Sequence, residues 1–361
     1  MLRRSTLRCV PKTMKAAVFK GKNRIVLDEK PVPVPKHSEA LIKITTTTIC
    51  GTDIHILKGE YPVAEGLTIG HEPIGVIESF GDGVTGFKKG QRVVIGAITP
   101  CSSCSSCMEG IRSQCGSKLM GGWKFGNTID GSQAEYLIVP DAAANMYPIP
   151  DGITDEQVLM CPDIMSTGFS GPESAGVKVG DTVVIYAQGP IGLGATAGAK
   201  MMGATKVIVV DRFPERLALA KKLGADYTLD FTKCNPIEEV MRLTGGRGVD
   251  VAIEALGLQS TFESCLRCLK PGGVLSSLGV YSDDLRLPND AFAAGLGDFK
   301  IVTTLCPGGK ERMRRLLSVI ESGRVDMRPM VTHTFKLDEI EKAYDLFGNQ
   351  RDGVLKVAIK P

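Results

Sequence analysis

The sequence predicts an α/β protein with a β-rich part and a part in which strands and helices alternate. Short runs of Val, Ile and Thr separated by Pro and Gly clusters fill residues 15–100, a pattern typical of an antiparallel sheet. From residue 167 onward, apolar strand-like runs alternate with helical segments, which indicates a parallel sheet covered by helices. The length of 361 residues exceeds the size at which one hydrophobic core usually stops growing, so two domains are expected.

The composition excludes several classes of function. With 43% hydrophobic residues and a mean hydropathy of +0.05, the chain is ordinarily globular, and it contains no apolar run of about 18 residues that would span a membrane. The net charge of +3 comes from the basic residues of 1–13, which leaves no basic face for nucleic acid. Eleven cysteines without a secretory segment indicate a reducing compartment, expected to be the cytoplasm.

Residues 1–13 differ from the rest of the chain. They are Arg-rich and contain no acid, as organelle-targeting peptides do. The alternative is an unstructured extension in front of a strand that begins at residue 14. We favour the extension, so that the folded chain starts at residue 14.

Reactive side chains are concentrated at two points of the β-rich part. A thiol, a hydroxyl, a carboxylate and an imidazole stand within residues 50–55, and a second imidazole stands at His71 in a glycine-bounded turn. A catalytic zinc takes thiolate, imidazole and carboxylate ligands and keeps only three of them, so that a fourth position stays open. Cys50 and His71 are therefore predicted as two ligands, held in loops of the sheet. Cys161 and Asp163 both qualify as the third, and residue types alone leave that choice open.

A second metal site is predicted in a short Ser- and Gly-rich loop that would not fold on its own. Its four cysteines are Cys101, Cys104, Cys107 and Cys115. This spacing fits a closed, tetrahedral structural zinc site. The alternative, four unliganded thiols on an exposed loop, would leave them prone to oxidation.

The α/β part opens with a glycine-rich turn that indicates nucleotide binding when it is taken together with the elements around it. A buried strand at residues 183–186 leads into a glycine-rich turn at 187–192 and a small-residue helix at 193–202. The next strand, 207–210, ends at Asp211. Strand, tight turn, helix, strand and terminal acid together resemble the dinucleotide-binding fingerprint, in which the helix start meets the pyrophosphate and the acid meets the ribose.

Taken together, the motifs resemble those of zinc-dependent medium-chain alcohol dehydrogenases. The matching motifs are Cys50-Gly-Thr-Asp-x-His55, Gly70-His71-Glu72, the four-cysteine loop and the Gly189/Gly192 turn. The similarity covers essentially everything after residue 14. Segments 122–125, 163–169 and 305–309 are similar to the secondary-alcohol branch, although enzymes of that branch often lack the full four-cysteine loop.

The resemblance implies the domain organisation and the partners. A GroES-like catalytic domain is expected from residues 14–166 and 306–361, and a Rossmann cofactor domain from residues 167–305. Two zinc ions per subunit, one catalytic and one structural, and a homotetramer are expected. The partners are a short-chain primary or secondary alcohol and its aldehyde or ketone, with neither nucleic acid nor membrane.

The resemblance also assigns the catalytic zinc site. The implied ligands are Cys50, His71 and Asp163. This settles the choice against Cys161, and Glu72 is expected to approach the metal as a transient ligand. Asp53 is expected to accept the other N–H of His71 and so fix its tautomer.

The implied reaction is reversible alcohol oxidation, in which the nicotinamide accepts a hydride. Thr52 is expected to take the hydroxyl proton and pass it through the nicotinamide ribose to His55, which exchanges it with solvent. The implied substrate pocket is lined by Thr52, Trp123, Leu305 and Cys306.

NAD is the expected cofactor. NADP-dependent members of the branch have a Gly-Ser-Arg-like sequence where this chain has Val210-Asp211-Arg212, and a 2′-phosphate would face the Asp211 carboxylate. Arg212 keeps NADP as the alternative. Ala187 replaces the first glycine of the fingerprint, which is tolerated if its φ is negative. The expected cofactor-binding residues are Ala187, Gly189, Pro190, Ile191, Gly192, Asp211, Arg212 and Arg216.

Two rival functions remain at this point. A polyol or threonine dehydrogenase shares the Cys-Gly-Thr-Asp-x-His start, but Trp123 and the pair Leu305-Cys306 favour simple alcohols. A zinc-free, quinone-reductase-like nucleotide-binding protein has the same fold, but the intact ligand set argues against it.

Overall fold

The computed structural model describes residues 10–361, so the extension predicted at residues 1–13 lies largely outside the described residues. The strands are β1 (Thr13–Phe19), β2 (Ile25–Pro31), β3 (Ala40–Ile49), β4 (Ile74–Phe80), β5 (Arg92–Ile95), β6 (Tyr136–Val139), β7 (Met146–Pro148), β8 (Thr182–Tyr186), β9 (Lys206–Asp211), β10 (Tyr227–Asp230), β11 (Val249–Glu254), β12 (Leu269–Ser277), β13 (Lys300–Thr303), β14 (Val331–Lys336) and β15 (Lys356–Lys360). The helices are α1 (Gly51–Lys58), α2 (Ser105–Met108), α3 (Ala142–Asn145), α4 (Asp155–Val158), α5 (Ser166–Ala175), α6 (Pro190–Met201), α7 (Pro214–Lys222), α8 (Pro236–Leu243), α9 (Gln259–Cys268), α10 (Lys310–Glu321) and α11 (Ile340–Gly348).

The β-rich part forms a mixed sheet that the end of the chain completes. Its strand order is β14-β15-β3-β4-β5-β7, with β6 also paired to β3. The pairs are antiparallel except β14 with β15, which are parallel. Strands β1 and β2 form a separate antiparallel pair. The last strand, β15, pairs with β3, so residues from both ends of the chain surround the end of β3.

The alternating part forms a six-stranded parallel sheet in the order β10-β9-β8-β11-β12-β13. The chain moves outward from β8 to β10 and then crosses to β11 on the other side of β8. That reversal opens a crevice at the carboxyl ends of the two central strands, where nucleotides bind in open α/β sheets.

Both faces of the parallel sheet are buried, which explains its continuous apolar strands. Val183 and Ile185 of β8 face a core that includes α5, α6 and α10, whereas Val184 and Tyr186 face a core with α8 and α9. Within residues 10–361, no helix is long and apolar enough to cross a membrane.

Cys50 lies between a strand and a helix, in line with the predicted loop position, but the residues after it form a helix. Strand β3 ends at Ile49, and Cys50 is the extended residue that precedes α1. Asp53, in the first turn, accepts the backbone N–H of Cys50 through Oδ2 at 2.9 Å, which satisfies a donor at the helix start. Thr52 and His55 therefore stand on a rigid helix.

Candidate active site

Three potential metal ligands from separate elements meet at the end of β3. Cys50 precedes α1, His71 precedes β4, and Asp163 lies in a π turn at Cys161–Met165. Asp163 Oδ2 is 3.5 Å from Cys50 Sγ and 3.6 Å from His71 Nε2, and all three residues are buried. A tetrahedral zinc ion with bonds of about 2.0–2.3 Å holds ligand atoms about 3.3–3.8 Å apart, so this group fits zinc.

The π turn presents Asp163, not Cys161, to the other two ligands. Cys161 Sγ instead lies 3.9 Å from Met165 Sδ in the core. Thr167 Oγ1 donates a hydrogen bond of 2.8 Å to Asp163 Oδ1, which leaves Oδ2 for the metal. Burial alone would raise the pKa of Asp163, but the neighbouring His71 holds it well below its usual range.

The second nitrogen of His71 faces the carboxylate that was expected to orient it. Asp53 Oδ1 lies 3.4 Å from His71 Nδ1, and Asp53 is completely buried. Burial alone would lower the pKa of His71, but Asp163 and Asp53 outweigh it and raise that pKa well above its ordinary value. The two carboxylates thus favour positive charge here. A metal that replaces the imidazole proton should therefore bind more tightly as the pH rises.

Glu72 has a buried partner that the sequence analysis missed. Lys356 Nζ, on β15, donates to Glu72 Oε2 at 2.6 Å, and both side chains are almost completely buried. Burial raises the pKa of Glu72, and Lys356 opposes that rise. The available signal was a lone lysine between Leu355 and Val357 in an apolar strand, a setting that requires a buried counter-charge.

Thr52 lies beside the metal ligands, whereas His55 lies at the protein surface. Thr52 Oγ1 lies 3.7 Å from Cys50 Sγ. His55, one turn further along α1, has a side chain that is 40% exposed and pairs through Nδ1 with Glu60. The hydrogen bond to His55 lowers the pKa of Glu60, which therefore faces the imidazole as a carboxylate.

The expected substrate-pocket residues surround the same group. Trp123 is buried, donates through Nε1 to Phe125 O at 3.0 Å, and stands edge-on to His71 with ring centroids 6.1 Å apart. Tyr61, which the sequence analysis missed, packs edge-on to Trp123 at 5.5 Å. Leu305 and Cys306 pack in the same apolar cluster. Burial raises the pKa of Cys306 to about 12, so it lines the cluster as a neutral thiol.

The four cysteines of the predicted structural site are also gathered together. The sulfur atoms of Cys101, Cys104, Cys107 and Cys115 all lie within 4.8 Å of one another. Backbone N–H groups already point at these sulfurs, for example Gly116 N at 3.0 Å from Cys104 Sγ. Hydrogen bonds, the largest from the Ser103 side chain, lower the pKa of Cys101 to about 6. Such donors stabilise thiolates, the form that binds zinc.

The glycine-rich turn has the shape of a phosphate cradle, although the condition set for alanine at its first position is not met. Ala187 has a φ of +70° rather than a negative φ, so this position keeps the left-handed backbone usually given to glycine. A Cβ at Gly192 would lie 1.9 Å from Ala187 O, so only glycine fits there. At Gly189 a Cβ would meet no atom within 4 Å, which leaves space in front of the turn. Helix α6 starts at Pro190, earlier than predicted, because proline suits a first helical turn.

Asp211 fixes this turn to the end of β9. Its Oδ2 accepts the N–H of Gln188 at 2.6 Å, and its Oδ1 accepts those of Arg212 and Phe213 at 2.6 and 3.0 Å. Three backbone donors therefore hold the carboxylate in place at the carboxyl end of β9.

Two arginine side chains flank the ring of Phe213, whose backbone N–H donates to Asp211. The guanidinium carbons of Arg212 and Arg216 lie 4.8 and 4.5 Å from the ring centroid of Phe213, which is 38% exposed. Burial lowers the pKa of Arg216, but a guanidinium stays charged at neutral pH. This edge of the crevice therefore carries one anion and two cations.

Two family models match most of the chain. The alcohol dehydrogenase GroES-like domain model matches residues 36–151, and the zinc-binding dehydrogenase model matches residues 190–322. The alcohol dehydrogenase of Cupriavidus necator is 63% identical, over 96% of this chain and 99% of its own. The NADP-dependent isopropanol dehydrogenase of Thermoanaerobacter brockii is 36% identical, over 94% and 97%.

Solved structures with similar folds cover nearly the whole chain. Zinc dependent alcohol dehydrogenase 2 from Streptococcus pneumonia, in its apo form, has a TM-score of 0.88 at 36% identity and covers 96% of this chain and 98% of its own. Alcohol dehydrogenase TADH from Thermus sp. ATN1 has a TM-score of 0.87 at 31% identity and covers 96% and 99%. These matches confirm the predicted α/β fold with a GroES-like and a Rossmann-like part.

Proposed function

The chain belongs to the zinc-type medium-chain alcohol dehydrogenases, and on that premise we propose how its side chains share the reaction. It is a zinc-dependent alcohol dehydrogenase of secondary alcohols that uses a nicotinamide cofactor. The observation that carries the site assignment is the buried group of Cys50, His71 and Asp163, with ligand atoms within 4.8 Å of one another.

In the proposed mechanism, Cys50, His71 and Asp163 hold the catalytic zinc. Zinc supplies Lewis-acid polarisation of the alcohol oxygen, and the nicotinamide supplies the hydride acceptor. Thr52 Oγ1, adjacent to Cys50, accepts the proton of the alcohol as its own hydroxyl proton is passed on toward His55, which releases a proton to solvent. Asp53 holds the His71 ring in place, and Lys356 neutralises Glu72, which retains the role of a transient ligand.

The proposed substrates are short secondary alcohols, with primary alcohols slower. Trp123, Tyr61, Leu305 and Cys306 form an apolar wall beside the ligands, and the bulk of Trp123 limits both substituents of the carbinol carbon. We expect kcat/KM to be highest for 2-propanol and 2-butanol and about 10–100-fold lower for aromatic secondary alcohols, because differences in substituent size change transition-state binding in an apolar pocket by about 1–3 kcal/mol. Initial rates for a panel of alcohols, with and without a chelator, check this. Equal rates for bulky and short alcohols would contradict the proposed pocket, and full activity in chelator-treated, zinc-free protein would favour the zinc-free rival.

NAD is the proposed cofactor, although relatives named NADP-dependent isopropanol dehydrogenases favour the phosphorylated form. The support is Asp211, whose fixed carboxylate would repel a 2′-phosphate, while Arg212 and Arg216 would attract one. Asp211→Ser should shift the NAD/NADP ratio of kcat/KM toward NADP on the order of 10–100-fold, because a repulsive charge pair becomes neutral.

The matched control for this prediction is Asp226→Ser. Asp226 also accepts a backbone N–H, that of Val207, but at the opposite end of β9, so the ratio should stay unchanged. A native preference for NADP that Asp211→Ser leaves unaltered would show that the two arginines decide the cofactor.

His55 is the proposed exit for the proton. His55→Ala should slow alcohol oxidation about 10–100-fold near pH 7. The difference in rate between the variant and the parent enzyme should become smaller at high pH, where solvent accepts the proton more readily. Steady-state kcat from pH 6 to 10 measures this. His333→Ala removes an imidazole on β14 that lies beside Thr332 and serves as the control. Parallel profiles of His55→Ala and the parent enzyme would remove His55 from the proton path.

The remaining assignments concern the whole molecule. We propose one catalytic and one structural zinc per subunit, a division into residues 14–166 plus 306–361 and residues 167–305, a cytoplasmic location and a homotetramer. The two ligand groups and the two large sheets support the first two assignments. Elemental analysis should find two zinc per subunit, and light scattering should give four times the subunit mass of 38.6 kDa.

A further inference from the structure

A buried hydrogen-bond chain links the C-terminal helix α11 to the metal ligand His71. Tyr344 OH, on α11, donates to Gln133 Oε1 at 2.8 Å. Gln133 Nε2 donates to Asp53 Oδ2 at 3.0 Å, and Asp53 Oδ1 faces His71 Nδ1 at 3.4 Å. None of the four residues is more than 4% exposed, so water does not compete for these contacts.

The chain has only one consistent arrangement of donors. Gln133 Nε2 lies 3.0 Å from both Asp53 Oδ2 and the carbonyl of Thr48, two groups that only accept hydrogen bonds. The NH₂ end must therefore face them, and Oε1 must face Tyr344, whose hydroxyl donates. Because a flipped amide would bring oxygen against oxygen at two contacts, the Asp53 carboxylate and the Thr48 carbonyl together fix the orientation of Gln133, and Tyr344 donates to its oxygen.

Asp53 is in turn oriented by the two donors at its Oδ2. These are the Cys50 backbone N–H at 2.9 Å and Gln133 Nε2. With Oδ2 occupied, Oδ1 is the oxygen that points at His71. Gln133 also packs on the turn before that histidine: Gly70 has φ +95°, and a Cβ there would lie 2.6 Å from Gln133 Cγ.

We propose that Gln133 and Tyr344 are positioning residues of the catalytic zinc site, which act through Asp53 on the orientation and electron donation of His71. This role rests on the proposed function, in that Cys50, His71 and Asp163 hold zinc. It makes α11, more than 200 residues from His71 along the chain, part of the support of the metal site. Partners of this kind affect metal affinity by about 10–100-fold when they contact the ligand directly.

The test uses two variants of the full-length protein and two readouts that core packing alone would not move. Gln133→Met keeps the volume and removes the amide, and Tyr344→Phe removes only the hydroxyl. We expect zinc release to a chromophoric chelator to be about tenfold faster in Gln133→Met and about threefold faster in Tyr344→Phe, because Gln133 is one contact further from the ligand than Asp53 and Tyr344 is two. The visible bands of the Co²⁺-substituted catalytic site should shift in the same order.

Tyr186→Phe is the matched control. It removes a buried phenol hydroxyl 3.3 Å from Cys268 Sγ in the parallel sheet, and it should leave zinc release and the cobalt bands unchanged. If Gln133→Met fails to fold, Tyr344→Phe alone decides. Parental release rates and bands in the folded variants would overturn the positioning role, as would an equal change in the control. A parent protein with zinc only in its four-cysteine site would overturn the proposed function together with this inference.

Discussion

Asp163→Ala is expected to remove the catalytic zinc and to lower kcat/KM by at least about 10³-fold. Asp163 Oδ2 is the atom that closes the ligand group, at 3.5 Å from Cys50 Sγ and 3.6 Å from His71 Nε2. Two protein ligands hold zinc much more weakly than three. Without the metal, the alcohol oxygen loses its Lewis-acid polarisation, which is worth several kcal/mol in the transition state.

Cys161→Ala is the matched control for this experiment. Cys161 lies two residues away in the same π turn, but its Sγ contacts Met165 Sδ instead of the ligands. Elemental analysis should give one zinc per subunit for Asp163→Ala and two for Cys161→Ala. Two zinc and parental kcat/KM in Asp163→Ala, with loss in Cys161→Ala, would transfer the third ligand to the thiol. Circular dichroism of both variants separates zinc loss from misfolding.

The identity of the third zinc ligand could not be predicted from residue types alone. Cys161 and Asp163 are both zinc ligands by chemistry, and the resemblance to a family chose between them. In the structure, the π turn directs the Asp163 side chain toward Cys50 and the Cys161 side chain into the core, which supports the proposed choice of Asp163. A single wide turn is not encoded by periodicity, so residue types left both candidates open.

The fold class was easier to predict than the contacts that support the site. The alternation of strands and helices after residue 167 and the Gly192 turn follow from local patterns, and the structure has both. By contrast, Lys356, Gln133 and Tyr344 contact the site from distant points of the chain, and a single sequence carries no record of such pairings. The positive φ of Ala187 was missed because alanine rarely adopts it. The strained turn is held in place by Asp211, which accepts the backbone N–H of Gln188, the residue after Ala187.

Lys356→Met is expected to lower the free energy of unfolding by about 3–5 kcal/mol, because it leaves the Glu72 carboxylate buried without its counter-charge. The pair is 2.6 Å apart and almost fully buried, so water cannot replace the lysine. Urea unfolding of the zinc-loaded protein, followed by circular dichroism, measures the change. Activity should fall as well, because the Glu72 carboxylate, which is next to His71 and would lack its lysine counter-charge, would compete with the other ligands for the metal.

The double variant Glu72→Gln/Lys356→Met separates charge from packing. If the loss comes from the unpaired carboxylate, the double variant should be more stable than Lys356→Met alone, which the double-mutant cycle reports as coupling between the two sites. An equal loss in both would assign the effect to the lysine stem and contradict the charge argument.

The pH dependence of the free energy of unfolding tests the same charge argument independently. Burial raises the pKa of Glu72, and without Lys356 that pKa rises further. As the pH rises above the ordinary glutamate pKa of 4.5, the unfolded chain loses the Glu72 proton first, and each folded protein loses stability until its own raised pKa is reached. Because that pKa is higher in Lys356→Met, the stability difference between the variant and the parent should widen above the parent's pKa and level off above the variant's. A difference that is constant over this range would mean that Glu72 keeps its charge through another partner, and the competition of Glu72 for the metal would then lose its physical basis.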